Sequence, residues 1–247
     1  FRRAVKGWTN ALKANPITGK TLPLYGTANL VNSTNATNTL ATKNFSAGTW
    51  EKATAINGES ITETDWAKNG NCRSCPIRCE RRVYVDGKEV KGPEFETVGL
   101  WGSNLLNASL KNIYKWNYLM DLLGMDTISC GGSIAFAMEL NEKGLWDSGL
   151  EFGKFENIDQ ILEDIAYRRG VGDDLAEGTM RMAELHGGED FAINAKGLEF
   201  AAYEPRGAVG HGLGYATAPR GGCHIEAGYV VFFEALGAGS CQPGFRQ

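Results

Sequence analysis

Long apolar runs are missing from this chain. No stretch approaches the roughly 18 residues that a membrane-crossing helix needs, and the segment Tyr229–Phe233 is far too short. A membrane-crossing helix is therefore not expected. An excess of positive charge is missing too: 25 Lys and Arg stand against 29 Asp and Glu, for a formal charge of −4. That removes the electrostatic footprint of a nucleic-acid binder. Histidine is scarce, with His186, His211 and His224 scattered along the sequence. A zinc site built from a Cys pair and a His pair has no second pair to draw on. No signal peptide opens the chain. An initiator methionine is absent, since the first residue is Phe1. The expectation is a chain that starts inside a longer gene product and, after the glycines 237, 239 and 244, stops inside it as well.

What is present is ordinary globular material. Hydrophobic residues make up 43% and charged residues 22% of the 247 positions, enough for a sizeable core in one or two domains. Glycine is abundant, at 32 residues, many of them in the last third. Six cysteines occur: Cys72, Cys75, Cys79, Cys130, Cys223 and Cys241. A chain of this length needs no disulfide staples, and a tight triplet is poorly placed to pair with itself. Metal or cluster binding in a reducing cytoplasm fits better.

Residues 1 to 70 read as loop-rich, with short helical pieces at Arg2–Lys13 and near Trp50–Ala55. Arg82–Val85, Asp86-Gly87 and Lys88–Val90 spell a short β-hairpin, because Asp-Gly suits a two-residue primed turn. Helical periodicity follows over Asn104–Leu123 and Ile158–Tyr167, and a helix between them is read over Ser133–Lys143, stopping at Gly144. Asp173 is placed as the N-cap of a further helix reaching Leu185. Residues 195–225 read as glycine-rich and irregular. The fold class predicted is mainly α, as two helical domains at 1–128, with the cysteine triplet, and 129–247.

Cys72-x-x-Cys75-x-x-x-Cys79 is the first chemical motif. Thiolates at these spacings can converge on one soft metal centre, and three local ligands plus one remote one serve an iron–sulfur cubane. Arg73 and Arg78 favour the thiolate form. A zinc knuckle and a set of ordinary buried thiols remain as alternatives at this point. Glu94 and Glu96 flank Phe95 after a Pro turn; if that segment is extended, they face the same side. Either could accept a proton beside a metal centre, or both could be solvated charges. Asp121 and Asp126 close the long helix, where an acid opposes the macrodipole. They read as ligand-bonding groups or as a solvated charge and a cap. His224 ends a glycine-rich run whose backbone can approach a large ligand.

Several ordered blocks together resemble the aldehyde:ferredoxin oxidoreductase family. They are Asn15–Gly19, Leu22–Thr27, the cysteine triplet, Gly92–Thr97, Asp121–Asp126, and the run from Lys196 through Tyr203, Pro205–Gly207 and Tyr215–Thr217 to Cys223-His224. The resemblance implies two helical domains of that type, with the family's N-terminal sheet domain missing. It implies a tungsten or molybdenum atom held by two pterin dithiolenes, beside a [4Fe–4S] cluster on Cys72, Cys75 and Cys79. It implies oxidation of a small aldehyde to a carboxylic acid, with electrons passing to ferredoxin. Glu96 would activate water or take a proton, His224 would orient or protonate the aldehyde oxygen, and Asp121 and Asp126 would hydrogen-bond a pterin. The motif that supplies the family's fourth cluster cysteine is missing, so the chain alone is expected to bind cluster and pterin poorly.

Two other readings compete: a related reductive subunit acting on an aromatic thioester, and a non-enzymatic iron–sulfur or zinc module. A homo-oligomer is compatible with the sequence, and no nucleic-acid or membrane partner is expected.

Overall fold

A computed structural model describes residues 1–226. Cys241, Tyr229–Phe233 and the last glycines lie outside the described residues. The N-terminal part is more helical than its composition suggests. It holds α1 (Arg2–Ala14), α2 (Leu22–Tyr25), α3 (Leu30–Ala36) and α4 (Gly58–Thr64). The Asn/Thr-rich stretch forms α3 although its hydroxyls compete for backbone groups: Thr34 Oγ1 donates to the Leu30 carbonyl at 2.8 Å. Asn57 caps α4 by accepting from Ser60 N at 2.8 Å.

The expected hairpin is part of a three-stranded antiparallel sheet. Its strands are β1 (Lys68–Gly70), β2 (Glu80–Val85) and β3 (Lys88–Lys91), in the order β1-β2-β3. Val83 pairs with Val90, and Gly70 with Glu80. Asp86 and Gly87 both take positive φ, 48° and 76°, as a type I′ turn requires. The cysteine segment is the loop from β1 to β2.

Next come α5 (Phe95–Trp101), α6 (Leu110–Leu123), α7 (Thr127–Glu142), α8 (Ile158–Tyr167), α9 (Val171–Leu175) and α10 (Gly178–His186). The expected helix over Asn104–Leu123 starts later than its periodicity suggested. Leu106 adopts a left-handed φ of 61°, and Ser109 caps α6 by accepting from Asn112 N at 3.3 Å. The helix placed at Ser133 starts six residues earlier, at Thr127. The glycines there are not breakers but points of close packing. A Cβ on Gly131 would stand 3.0 Å from Leu100 Cβ, and one on Gly132 would stand 3.1 Å from the Glu199 side chain. Asp173 is no N-cap; it lies inside α9, and the next helix starts at Gly178.

Two short strands, β4 (Asn194–Ala195) and β5 (Leu198–Glu199), pair antiparallel. Part of the region read as irregular is a helix, α11 (Val209–Thr217). Its glycines lower helix propensity, but His211 and Tyr215, one turn apart, are both buried, and tertiary packing overrides the local preference. The buried apolar residues from Ala28 to Ala208 make one cluster, with α7, α5 and Trp101 at its centre. The border expected at 128/129 falls in the first turn of α7. No helix among the described residues is long and apolar enough to cross a membrane.

Candidate active site

α5 follows Gly92-Pro93, and its N-cap is Glu94 in an extended conformation. The chain becomes helical at Phe95, so Glu94 and Glu96 do not share a side as an extended segment would require. Glu94 turns toward the N-terminal part, where its Oε2 accepts from Thr27 Oγ1 at 2.5 Å. Glu96 lies on the first turn of α5 and faces the 201–203 segment. Its Oε2 accepts from Ala202 N at 2.6 Å.

The structure brings Glu96 and His224 together. Glu96 Oε1 stands 3.6 Å from His224 Nε2, with side-chain exposures of 13% and 24%. At that distance the groups face each other without a hydrogen bond. Burial raises the Glu96 carboxyl to about 7; the Ala202 N–H and the Tyr203 hydroxyl pull it down, and the charge of Asp126 raises it further. Burial lowers the His224 imidazole, opposed by Asp126. Near neutrality the pair is therefore a half-protonated acid opposite a neutral base, not an ion pair.

Two residues that the sequence did not single out complete the cluster. The buried Tyr203 ring lies 6.3 Å from the His224 ring and 4.9 Å from the His211 ring. His211 is fully buried, and neither ring nitrogen has a hydrogen-bond partner among the described residues. Burial, with His224 adding to it, lowers its imidazole to about 4. Its other neighbour is Tyr215, at 4.4 Å between ring centroids, which in turn stacks on Phe200 at 4.2 Å. The four-residue spacing of His211 and Tyr215 was the available signal, because such residues share one helix face.

A cavity of about 400 Å³ opens beside this cluster and is lined by Asp126, Ser129, Glu199, Arg220, Cys223 and His224, among others. Asp126 is exposed and caps α7, its Oδ2 accepting from Ser129 N at 2.7 Å. One carboxylate oxygen is thus engaged by the helix, while the residue still lines the cavity. Asp121 is exposed near the end of α6 and is not among the residues that line this cavity.

Cys72 is exposed, and Cys75 and Cys79 are half-buried. A turn joins the first two, Cys75 N donating to the Cys72 carbonyl at 2.9 Å. Ser74 and Arg78 take left-handed φ values of 61° and 60°, which coil the loop. Burial raises the Cys79 thiol, with the Glu94 carboxylate and then the Cys75 and Cys72 thiols adding to the effect. The three thiols therefore sense one another, although among the described residues no three His, Cys, Asp or Glu side chains are gathered tightly enough to hold a metal ion. As a donor set, three thiols on one loop suit a soft metal–sulfur group. Cys130 is buried, and its thiol is pushed up to about 12 by burial, as expected for an inert core thiol.

Comparison with known proteins gives concordant results. The family model described as "Aldehyde ferredoxin oxidoreductase, domains 2 & 3" matches residues 3–245. The tungsten-containing aldehyde ferredoxin oxidoreductase of Thermococcus kodakarensis is 44% identical over 245 residues, covering 96% of this chain and 40% of that protein. The protein of the same name from Pyrococcus furiosus is 44% identical over 246 residues, with the same coverage. The chain thus spans about 40% of the length of these curated relatives. A more distant P. furiosus relative, "Aliphatic sulfonate oxidoreductase, WOR-like subunit", is 30% identical over 196 residues, 71% of this chain and 31% of that protein. Among solved structures, the active-site complex BamBC of benzoyl coenzyme A reductase with 1,5-dienoyl-CoA superposes with a TM-score of 0.63 at 22% identity, over 81% of this chain and 33% of that one. That last likeness is one of fold.

Proposed function

The chain belongs to the aldehyde ferredoxin oxidoreductase family, and from that premise we propose that it supplies the acid–imidazole pair and the thiol loop of a tungsten-pterin enzyme oxidising an aldehyde to a carboxylic acid. The observation that carries this reading is the buried Glu96 carboxyl facing His224 at 3.6 Å. Cys72, Cys75 and Cys79 would hold a [4Fe–4S] cluster, and Asp126, with Asp121 outside it, would hydrogen-bond a pterin. When bound, the metal-pterin group would take up the two electrons of the oxidation, and the cluster would pass them singly to ferredoxin in the cytoplasm. Molybdenum fits the same ligands as tungsten.

The overall change converts an aldehyde and one water into a carboxylic acid, two protons and two electrons. Glu96 in its ionised form takes a proton as the water oxygen attacks the carbonyl carbon. Its position near 7 leaves it able both to accept that proton and to lose it again. His224, neutral and on the cavity wall, donates a hydrogen bond to the aldehyde oxygen. Tyr203 holds the Glu96 carboxylate and, with Phe95 at 5.0 Å, closes one side against solvent.

The test is metal analysis and aldehyde-dependent dye reduction on the full-length protein. The expected result is tungsten, iron and acid-labile sulfide together with turnover. Zinc without sulfide, or turnover unaffected by Glu96→Gln, overturns the reading.

A further inference from the structure

Arg81 is the most deeply buried cation of the described residues, with 2% of its surface exposed. It has no carboxylate partner there. One terminal nitrogen donates to Asn69 Oδ1, the other lies 3.5 Å from Thr62 Oγ1, and Nε has no hydrogen-bond partner. The guanidinium lies over the Trp66 ring, 5.3 Å from its centroid. These neighbours are all neutral. Glu80 and Glu89, on the same sheet, are engaged elsewhere: they pair with Arg82 at 3.1 and 3.2 Å, and Glu89 also with Lys68 at 2.9 Å. A permanent charge taken out of water without an anion is strongly disfavoured, and arginine does not lose its proton in proteins.

The anion is indicated by position. Arg81 follows Cys79 by two residues, Cys79 being the last residue of the loop before β2. Both crowd the backbone at Gly26, where a Cβ would stand 3.0 Å from Arg81 Cγ and 3.0 Å from the Cys79 carbonyl. Gly26 itself has a φ of 66°, which a side chain would not favour. The ionisable group that acts on the Arg81 charge is Cys79.

We infer that Arg81 is the built-in counter-cation of the negatively charged metal–sulfur group on the cysteine loop: a positioning residue that sets how readily that group accepts an electron. This inference rests on the cluster reading of Cys72, Cys75 and Cys79. Asn69 and Trp66 hold the guanidinium in place while leaving its charge unneutralised. A fixed positive charge beside the centre favours its more negative, reduced state, so removing the charge makes reduction harder.

The experiment is a redox titration followed by electron paramagnetic resonance on the full-length holoenzyme, as wild type, Arg81→Gln and Arg81→Lys, with iron and sulfide measured on each. For Arg81→Gln the expected result is a potential shifted negative by at least a tenfold change in the reduced-to-oxidised ratio, about 59 mV for one electron. Arg81→Lys, which keeps the charge, recovers most of that shift. If Arg81→Gln assembles no cluster, an Arg81→Lys protein with full iron and a near-wild-type potential supports the inference, and one equally devoid of cluster overturns it. Full iron in Arg81→Gln with an unmoved potential overturns this inference alone. Absence of iron and sulfide from the wild type overturns it together with the cluster reading.

Discussion

Replacing Glu96 with Gln removes one titrating group and changes little else in shape. The Gln oxygen still accepts from Ala202 N, which now bonds Oε2 at 2.6 Å. The Glu96 carboxyl stands near 7 against an ordinary 4.5, chiefly through burial. Two consequences follow. As a base it must be ionised, so kcat/KM for the aldehyde should rise with pH and level off above about 7, with about a tenth of the ionised form left at pH 6. At pH 8 Glu96→Gln should lose 10²- to 10⁴-fold, the usual share of a general base. The second consequence concerns stability. The folded pKa lies above the unfolded one, so the native state binds the extra proton and stability falls as pH rises. The loss accumulates between about pH 4.5 and 7 and is complete above that, for roughly 3 kcal/mol in total. Denaturation of both proteins across that window should therefore show Glu96→Gln gaining on the wild type by about that amount, with no further gain at higher pH. A pH-independent difference between the two, or a kcat/KM profile flat from pH 6 to 8, refutes the buried-acid reasoning.

Three further outcomes are expected. His211→Leu should hold or raise stability, by up to about 1 kcal/mol in chemical denaturation, because it removes two buried nitrogens without partners; a clear loss would mean those nitrogens are bonded. Glu199→Ala should destabilise by about 3 kcal/mol, since the buried carboxylate accepts from Thr179 N at 2.8 Å and Thr179 Oγ1 at 3.1 Å and leaves both donors stranded; a change under 1 kcal/mol in the same assay contradicts this. The 247-residue chain by itself should recover well under stoichiometric iron and tungsten by elemental analysis, because it spans about 40% of its relatives and offers three clustered thiols; full stoichiometry would contradict it.

The mainly helical fold was legible because α6 and α8 carry apolar residues at helical spacing, and the β2–β3 turn was legible from Asp86-Gly87. What the sequence concealed depends on contacts made across long separations. Gly131 and Gly132 look like helix breakers until Leu100 and Glu199 are brought against them. α11 looks irregular until Phe200 and Tyr203 supply partners for Tyr215 and His211. β1 is too short to show a pattern and forms because Arg82 and Glu80 pair with it. In the site, Glu96 and His224 were candidates from their own segments, but only the resemblance joined them, since 128 positions separate them. Tyr203 and His211 were given no role in the site because that role rests on burial, which a single sequence does not display.

The divergence of the two acids of the Gly-Pro-Glu-Phe-Glu segment has the widest consequence. Had that stretch stayed extended, Glu94 and Glu96 would have shared one environment. Because the helix starts at Phe95, Glu94 remains with Thr27 and acts on the Cys79 thiol, while Glu96 reaches Ala202 and His224. Two residues of backbone span at most about 7 Å. One buried helix start therefore carries both the acid that acts on the Cys79 thiol and the acid that faces His224. Under the proposed function, in which electrons would pass from one centre to the other while a proton moves at the first, a steady spacing is the relevant requirement. α5 meets it through its packing on α7, so any substitution that shifts α5, even one far from both centres, should disturb the proton step and the electron step together.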